Sequence, residues 1–123
     1  MNRVTIDFGI DLGTTNSEIA AFNRGQAEVV KNIENFENTP SAVWITEKGR
    51  CIVGRQAKER YEADPENAKV EFKRQMGKTE PVEFTDSGRK MLPEELSAEV
   101  LKQLRLNAKE HLGEEVTDRK SVV

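Results

Sequence analysis

The tightest constraint on this chain is an alternating apolar pattern near its start that breaks once and then resumes. Val4, Ile6, Phe8 and Ile10 fall at every second position, the period of a strand with one buried face. Gly13-Thr14-Thr15-Asn16-Ser17 interrupts the pattern with residue types that favour turns. A second strand follows at Ile19-Ala20-Ala21-Phe22, Asn23-Arg24-Gly25 turns the chain again, and a third strand runs from Ala27 to Ile33. Strand, tight turn, strand, turn, strand is an antiparallel meander.

Beyond a polar stretch at 34–40, Ser41 to Ile45 and Arg50 to Val53 predict a further strand pair around Lys48-Gly49, closed by Gly54. Gln56 to Ala63 predicts a short helix. Asp64-Pro65 then reads as a second helix start, with Asp as N-cap and Pro at the first helical position, and that helix runs to about Met76 with Gly77 as its stop. Val82-Glu83-Phe84 and Lys90-Met91-Leu92 are short extended pieces around Asp86-Ser87-Gly88. The strongest helix spans Pro93 to about Leu112. It places Leu96, Val100, Leu101, Leu104, Ala108 and Leu112 on one face, and Gly113 closes it. Ser121-Val122-Val123 is strand-like, and the expectation is a sheet that continues beyond it. The fold class is α/β, with an antiparallel start and helices later.

At 123 residues the chain is one domain or less, 36% hydrophobic and 33% charged, which is less apolar than an average domain without being poor enough for disorder. A net charge of -3 and a pI near 5.3 give no electrostatic reason to expect nucleic acid or a membrane surface. Apolar runs are too short for a bilayer span, and no basic segment followed by an apolar one marks a secretory signal. Cys51 has no partner for an internal disulfide, and with a lone His111 there is no zinc cluster. Cys51 reads as a small core filler in the strand Cys51-Ile52-Val53, Trp44 as packing, and the expected compartment is the cytoplasm.

The chemistry concentrates in Gly9-Ile10-Asp11-Leu12-Gly13-Thr14-Thr15-Asn16-Ser17. A phosphate needs several N–H donors converging on its oxygens, little side-chain bulk, and hydroxyls to complete the shell. Gly13 followed by two threonines can supply these, because consecutive backbone N–H groups form an anion-binding nest. Asp11, at the end of the first strand, points a carboxylate at the same space. That suits Mg²⁺, which keeps most of its waters and takes one or two carboxylates besides phosphates. An ordinary polar hairpin turn is the competing reading of the stretch by itself. Gly77-Lys78-Thr79 imitates the end of a Walker A loop. That motif requires a glycine five positions earlier, where Phe72 stands, and the preceding residues read as helix rather than as a loop before one.

The stretch Gly9 to Ser17 resembles the opening phosphate hairpin of the 70-kilodalton heat-shock chaperones. Asn38-Thr39-Pro40-Ser41, Val53-Gly54-Arg55-Gln56-Ala57-Lys58, and Asn67 through Phe72-Lys73-Arg74-Gln75-Met76-Gly77 match the same family in order. So do Glu94 to Leu101 and Leu112-Gly113-Glu114-Glu115-Val116-Thr117. Sugar kinases and actin-like proteins share the Asp-x-Gly-Thr-Thr idea but not these later segments. The resemblance implies an actin-like (ribonuclease H-like) ATPase fold, of which residues 1–123 would be an incomplete N-terminal part confined to the first lobe.

It also implies ATP or ADP and Mg²⁺ as cofactors. Gly13, Thr14, Thr15 and Asn16 would contact the β- and γ-phosphates, and Asp11 would hold the magnesium water shell. Lys73, a solvated helix lysine by spacing alone, matches the catalytic lysine that reaches the γ-phosphate and the attacking water. The implied parent hydrolyses ATP to control its grip on unfolded polypeptides. Clients and co-chaperones would meet it through parts beyond these residues, which alone are expected to be inactive and to self-associate through exposed strand edges. Two departures stand out: a short segment between Gly77 and Leu92, and Glu37-Asn38 where the family commonly has an arginine-containing turn. The alternatives are a lobe of an actin-like or sugar-kinase-type enzyme, or a relative that binds nucleotide without hydrolysing it.

Overall fold

The computed structural model describes residues 7–23, 26–32, 34, 36–112 and 120–122. The expected turn residues Arg24 and Gly25, the helix stop at Gly113, and the side chains of His111 and Leu112 lie outside what is described.

β1 (Asp7–Leu12) and β2 (Asn16–Asn23) form an antiparallel hairpin in which Phe8 faces Ala21 and Ile10 faces Ile19. These four are buried, whereas Asp11, Glu18 and Phe22 on the opposite face are exposed. The period-2 pattern is therefore one face turned to the core. β3 (Gln26–Val29) extends the meander, and β4 (Thr39–Pro40) pairs with the start of β2, next to the bend. β5 (Ala42–Ile45) and β6 (Cys51–Val53) make the expected second hairpin, turning through Gly49 at φ +85°. α1 (Arg55–Ala63) follows.

The chain next departs from expectation. No helix starts at Asp64-Pro65. Asp64 instead closes α1, with its N–H donating to the Arg60 carbonyl at 2.7 Å, and Ala68–Val70 forms β7, antiparallel to β5. The cause is tertiary. Asn67 is buried, its amide donates to both carboxylate oxygens of Asp64 (3.1 and 2.9 Å), and its carbonyl accepts from Ile45 N–H at 3.0 Å. A buried amide satisfied in this way holds the backbone extended and outweighs the local helix-start signal. Only Phe72–Gln75 is helical, as one 3₁₀ turn.

β8 (Val82–Glu83) and β9 (Lys90–Met91) pair as the two short extended pieces, and α2 spans Pro93–Leu112. Pro93 and the acidic pair Glu94-Glu95 suit a helix N-terminus, and Leu92 N–H donates to Glu95 Oε1 at 2.9 Å. Leu96, Val100, Leu104 and Ala108 are buried, and each large aliphatic there contributes about 1.5–3 kcal/mol. They join Phe8, Ile10, Ile19, Val43, Ile45, Phe72 and Phe84 in one core beneath both hairpins. β10 (Lys120–Val122) lies parallel to β1, giving a mixed sheet ordered β10-β1-β2-β3 with β4 also on β2. Lys78 follows a turn at Gly77 (φ +92°) with no helix after it, so the Walker A imitation is discarded on geometry as well.

Candidate functional site

The bend between β1 and β2 is set by their register. Asp11 pairs with Glu18 and Leu12 with Ser17, so Gly13, Thr14 and Thr15 make the turn and Asn16 starts β2. Gly13 is required by space, since a Cβ there would sit 2.3 Å from the carbonyl oxygen of Asn16.

Two buried serines hold the bend from behind. Ser41 Oγ donates to the Gly13 carbonyl at 2.8 Å, and Ser41 N–H donates to the Thr15 carbonyl at 2.9 Å. With its proton spent on Gly13, Ser41 Oγ accepts from the Ser17 hydroxyl 2.8 Å away. In a trans peptide the N–H points opposite to the C=O, so tying the Gly13 carbonyl inward turns Thr14 N–H outward. Thr14 makes no hydrogen bond to any other described residue. Its N–H and hydroxyl are a donor set with no acceptor among the described residues, which fits an anionic oxygen.

Lys73 comes to this bend from far along the chain. Its Nζ donates to the carbonyl oxygen of Leu12, the last residue of β1. The 3₁₀ turn that carries it is anchored by Phe72, which is buried in the core, and begins after Glu71 in a left-handed conformation (φ 52°). Among the described residues Lys73 has no carboxylate partner. A cavity of about 210 Å³ lies between the bend and the lysine segment, lined by Leu12, Gly13, Ser41, Phe72, Lys73 and Met76. On the other flank, Lys58 of α1 shares a cavity of about 200 Å³ with Thr14 and Thr15.

Asp11 leaves the outer face of β1 and is exposed, with Glu18 as its direct cross-strand neighbour. Two like charges so placed repel one another, and a cation held between or above them would relieve that cost. No hydrogen bond or ion pair joins Asp11 to Lys73. The fold thus brings together Gly13, Thr14, Thr15, Asn16 and Lys73, and leaves Asp11 at the strand end beside them. Sequence reasoning missed the structural parts of Ser17, Ser41 and Glu18. The first two stood inside recognised segments, but a contact across 24 residues leaves no local signal.

Cys51 is half-buried, and burial, with Glu99 alongside, pushes its thiol up to about 11, so it is a poor nucleophile at neutral pH. Trp44 is part-buried under the Arg60 guanidinium, 4.9 Å from the ring centre. Among the described residues no helix is long and apolar enough to cross a membrane.

A meander joined to a helix-covered second hairpin, with a glycine-threonine bend between β1 and β2, is consistent with a fragment of an actin-like ATPase lobe. The family model described as Hsp70 protein matches residues 7–86 of the 123, a span that includes both the bend and Lys73. The chain belongs to the Hsp70 family.

Proposed function

We propose that this chain supplies one side of a nucleotide grip that binds ATP or ADP with Mg²⁺ and, in a longer parent, hydrolyses ATP. The observation that carries the reading is the Lys73 ammonium seated on the carbonyl that opens the glycine-threonine bend. A neutral carbonyl is a weak partner for an ammonium, so exchanging it for an anionic phosphate oxygen is favourable. Thr14 N–H, with the hydroxyls of Thr14 and Thr15, donates to the β- and γ-phosphate oxygens from the same bend, and Gly13 keeps the backbone tight enough for Asn16 to join them. Asp11, with Glu18 beside it, would hold a hydrated Mg²⁺ through its waters. When bound, that ion supplies neutralisation of phosphate charge. Lys73 then stabilises the charge on the transferred phosphoryl group and orients the water, which is most of what phosphoryl transfer asks of a protein.

The bend reaches a phosphate from one side only, so the opposing contacts come from residues outside these 123. The parent is read as a cytoplasmic chaperone that uses hydrolysis to change its hold on unfolded polypeptides, with co-chaperones acting on the cycle. The test is steady-state ATP turnover by the full-length protein. Lys73→Ala lowers it by roughly 10²–10³-fold, the scale of one lost electrostatic stabiliser. A variant as active as the wild type overturns the reading.

A further inference from the structure

The segment that carries Lys73 is poorly held by its own backbone. The bonds at the two ends of its 3₁₀ turn are long, 3.2 Å for Arg74 N–H to Glu71 O and for Met76 N–H to Lys73 O, with Lys78 N–H to Gln75 O at 3.1 Å beyond, and every residue from Lys73 to Pro81 is exposed. Short 3₁₀ turns with such geometry fray unless something outside them fixes both ends. Phe72 fixes the near end in the core. The far end meets the first turn of α2, where Gly77 N–H donates to Glu94 Oε1 at 2.8 Å and Ser97 Oγ lies 3.7 Å from Met76 Sδ.

Glu94 is available for this because its neighbour does the helix's own work. Glu95 reaches back to the Leu92 N–H, as a third-position glutamate does when it caps its own helix. The Gly77 N–H, with Glu94's own N–H, holds the Glu94 carboxyl below its ordinary value, as expected of a carboxylate that is accepting real hydrogen bonds.

We propose that Glu94 is a positioning residue for Lys73: by gripping Gly77 it keeps the 72–77 segment clamped between the core and α2, so that the ammonium stays on the bend. The importance of Lys73 rests on the nucleotide reading above; the clamp itself does not. The difference can be read on the whole 123-residue chain by competitive acylation with limiting acetic anhydride, resolving each lysine by peptide mass spectrometry. Lys73, protected by its bond to Leu12, acylates about three- to tenfold more slowly than Lys48 in its exposed turn, the worth of one such hydrogen bond. Glu94→Ala abolishes that difference without altering Lys48. Glu94→Gln, whose amide oxygen accepts the same N–H, retains it.

Unchanged protection of Lys73 in Glu94→Ala overturns the inference. If every lysine in Glu94→Ala reacts faster together, the helix has melted and Glu94→Asp decides. It keeps the negative charge at the helix start but is one methylene too short to reach Gly77. Loss of protection at Lys73 alone then supports the clamp, and persistence overturns it. ATP added to the full-length wild type tests the other reading separately. If millimolar ATP gives Lys73 of the full-length protein no further protection while Glu94→Ala still exposes it, the nucleotide role fails and the clamp stands.

Discussion

The 13–16 bend and the 72–77 segment are both short and irregular, yet they are held by different means. The bend is fixed from the buried side: Ser41, at 4% exposure, takes up the Gly13 and Thr15 carbonyls and is braced by the fully buried Ser17, and the one glycine has no room for a side chain. The lysine segment is fixed at its ends, by one buried ring and by a glutamate from another element, with its middle in solvent. A surface meant to present donors to a phosphate gains from rigidity, because donors already aimed need no reorganisation. A lysine proposed to pass from a carbonyl to a phosphate needs an anchored base and a tip that can change partners. The same fold provides both by burying one segment and suspending the other.

Substitutions can break this contrast, starting with the bend. Gly13→Ala forces a Cβ onto backbone 2.3 Å away and costs about 2–3 kcal/mol by urea unfolding, with loss of nucleotide binding. Ser41→Ala removes the hydroxyl shared by Gly13 and Ser17, leaving a buried Ser17 hydroxyl unsatisfied, and costs about 2 kcal/mol in the same assay. The suspended segment is more forgiving. Gly77→Ala meets open space but must adopt φ +92°, so it costs only about 1 kcal/mol; a loss equal to that of Gly13→Ala would erase the distinction. Smallest of all, Glu18→Gln relieves the repulsion with Asp11 and stabilises by about 0.2–0.5 kcal/mol at low salt. High salt removes that gain. Stabilisation that persisted in 1 M salt would show that charge is not its cause.

Much of the lobe was legible along the chain because its elements repeat with clear periods. Phe8, Ile10, Ile19 and Ala21 alternate, and Leu96, Val100, Leu104 and Ala108 share a helix face; all eight are buried where the pattern put them. The failure lay at 65–76, where Asp64-Pro65 and Gly77 look like helix boundaries. Ala68, Val70 and Phe72 fall at every second position, a strand signal too short to outweigh the caps. What decided it was the pairing of β7 with β5 and the burial of Asn67, neither of which is a local property. The clamp by Glu94 was equally hidden, since an exposed glutamate at a helix start usually serves its own helix.

Order along the chain therefore determined the hairpin, its glycine-threonine turn and the long amphipathic helix, since strand and helix periods and turn chemistry are set by near neighbours. Tertiary structure alone decided that residue 73 rides on a single suspended turn and that its ammonium meets β1, 61 positions earlier. Such a meeting depends on which sheet edge is vacant and which polar groups burial obliges to find partners, and those are properties of the assembled core.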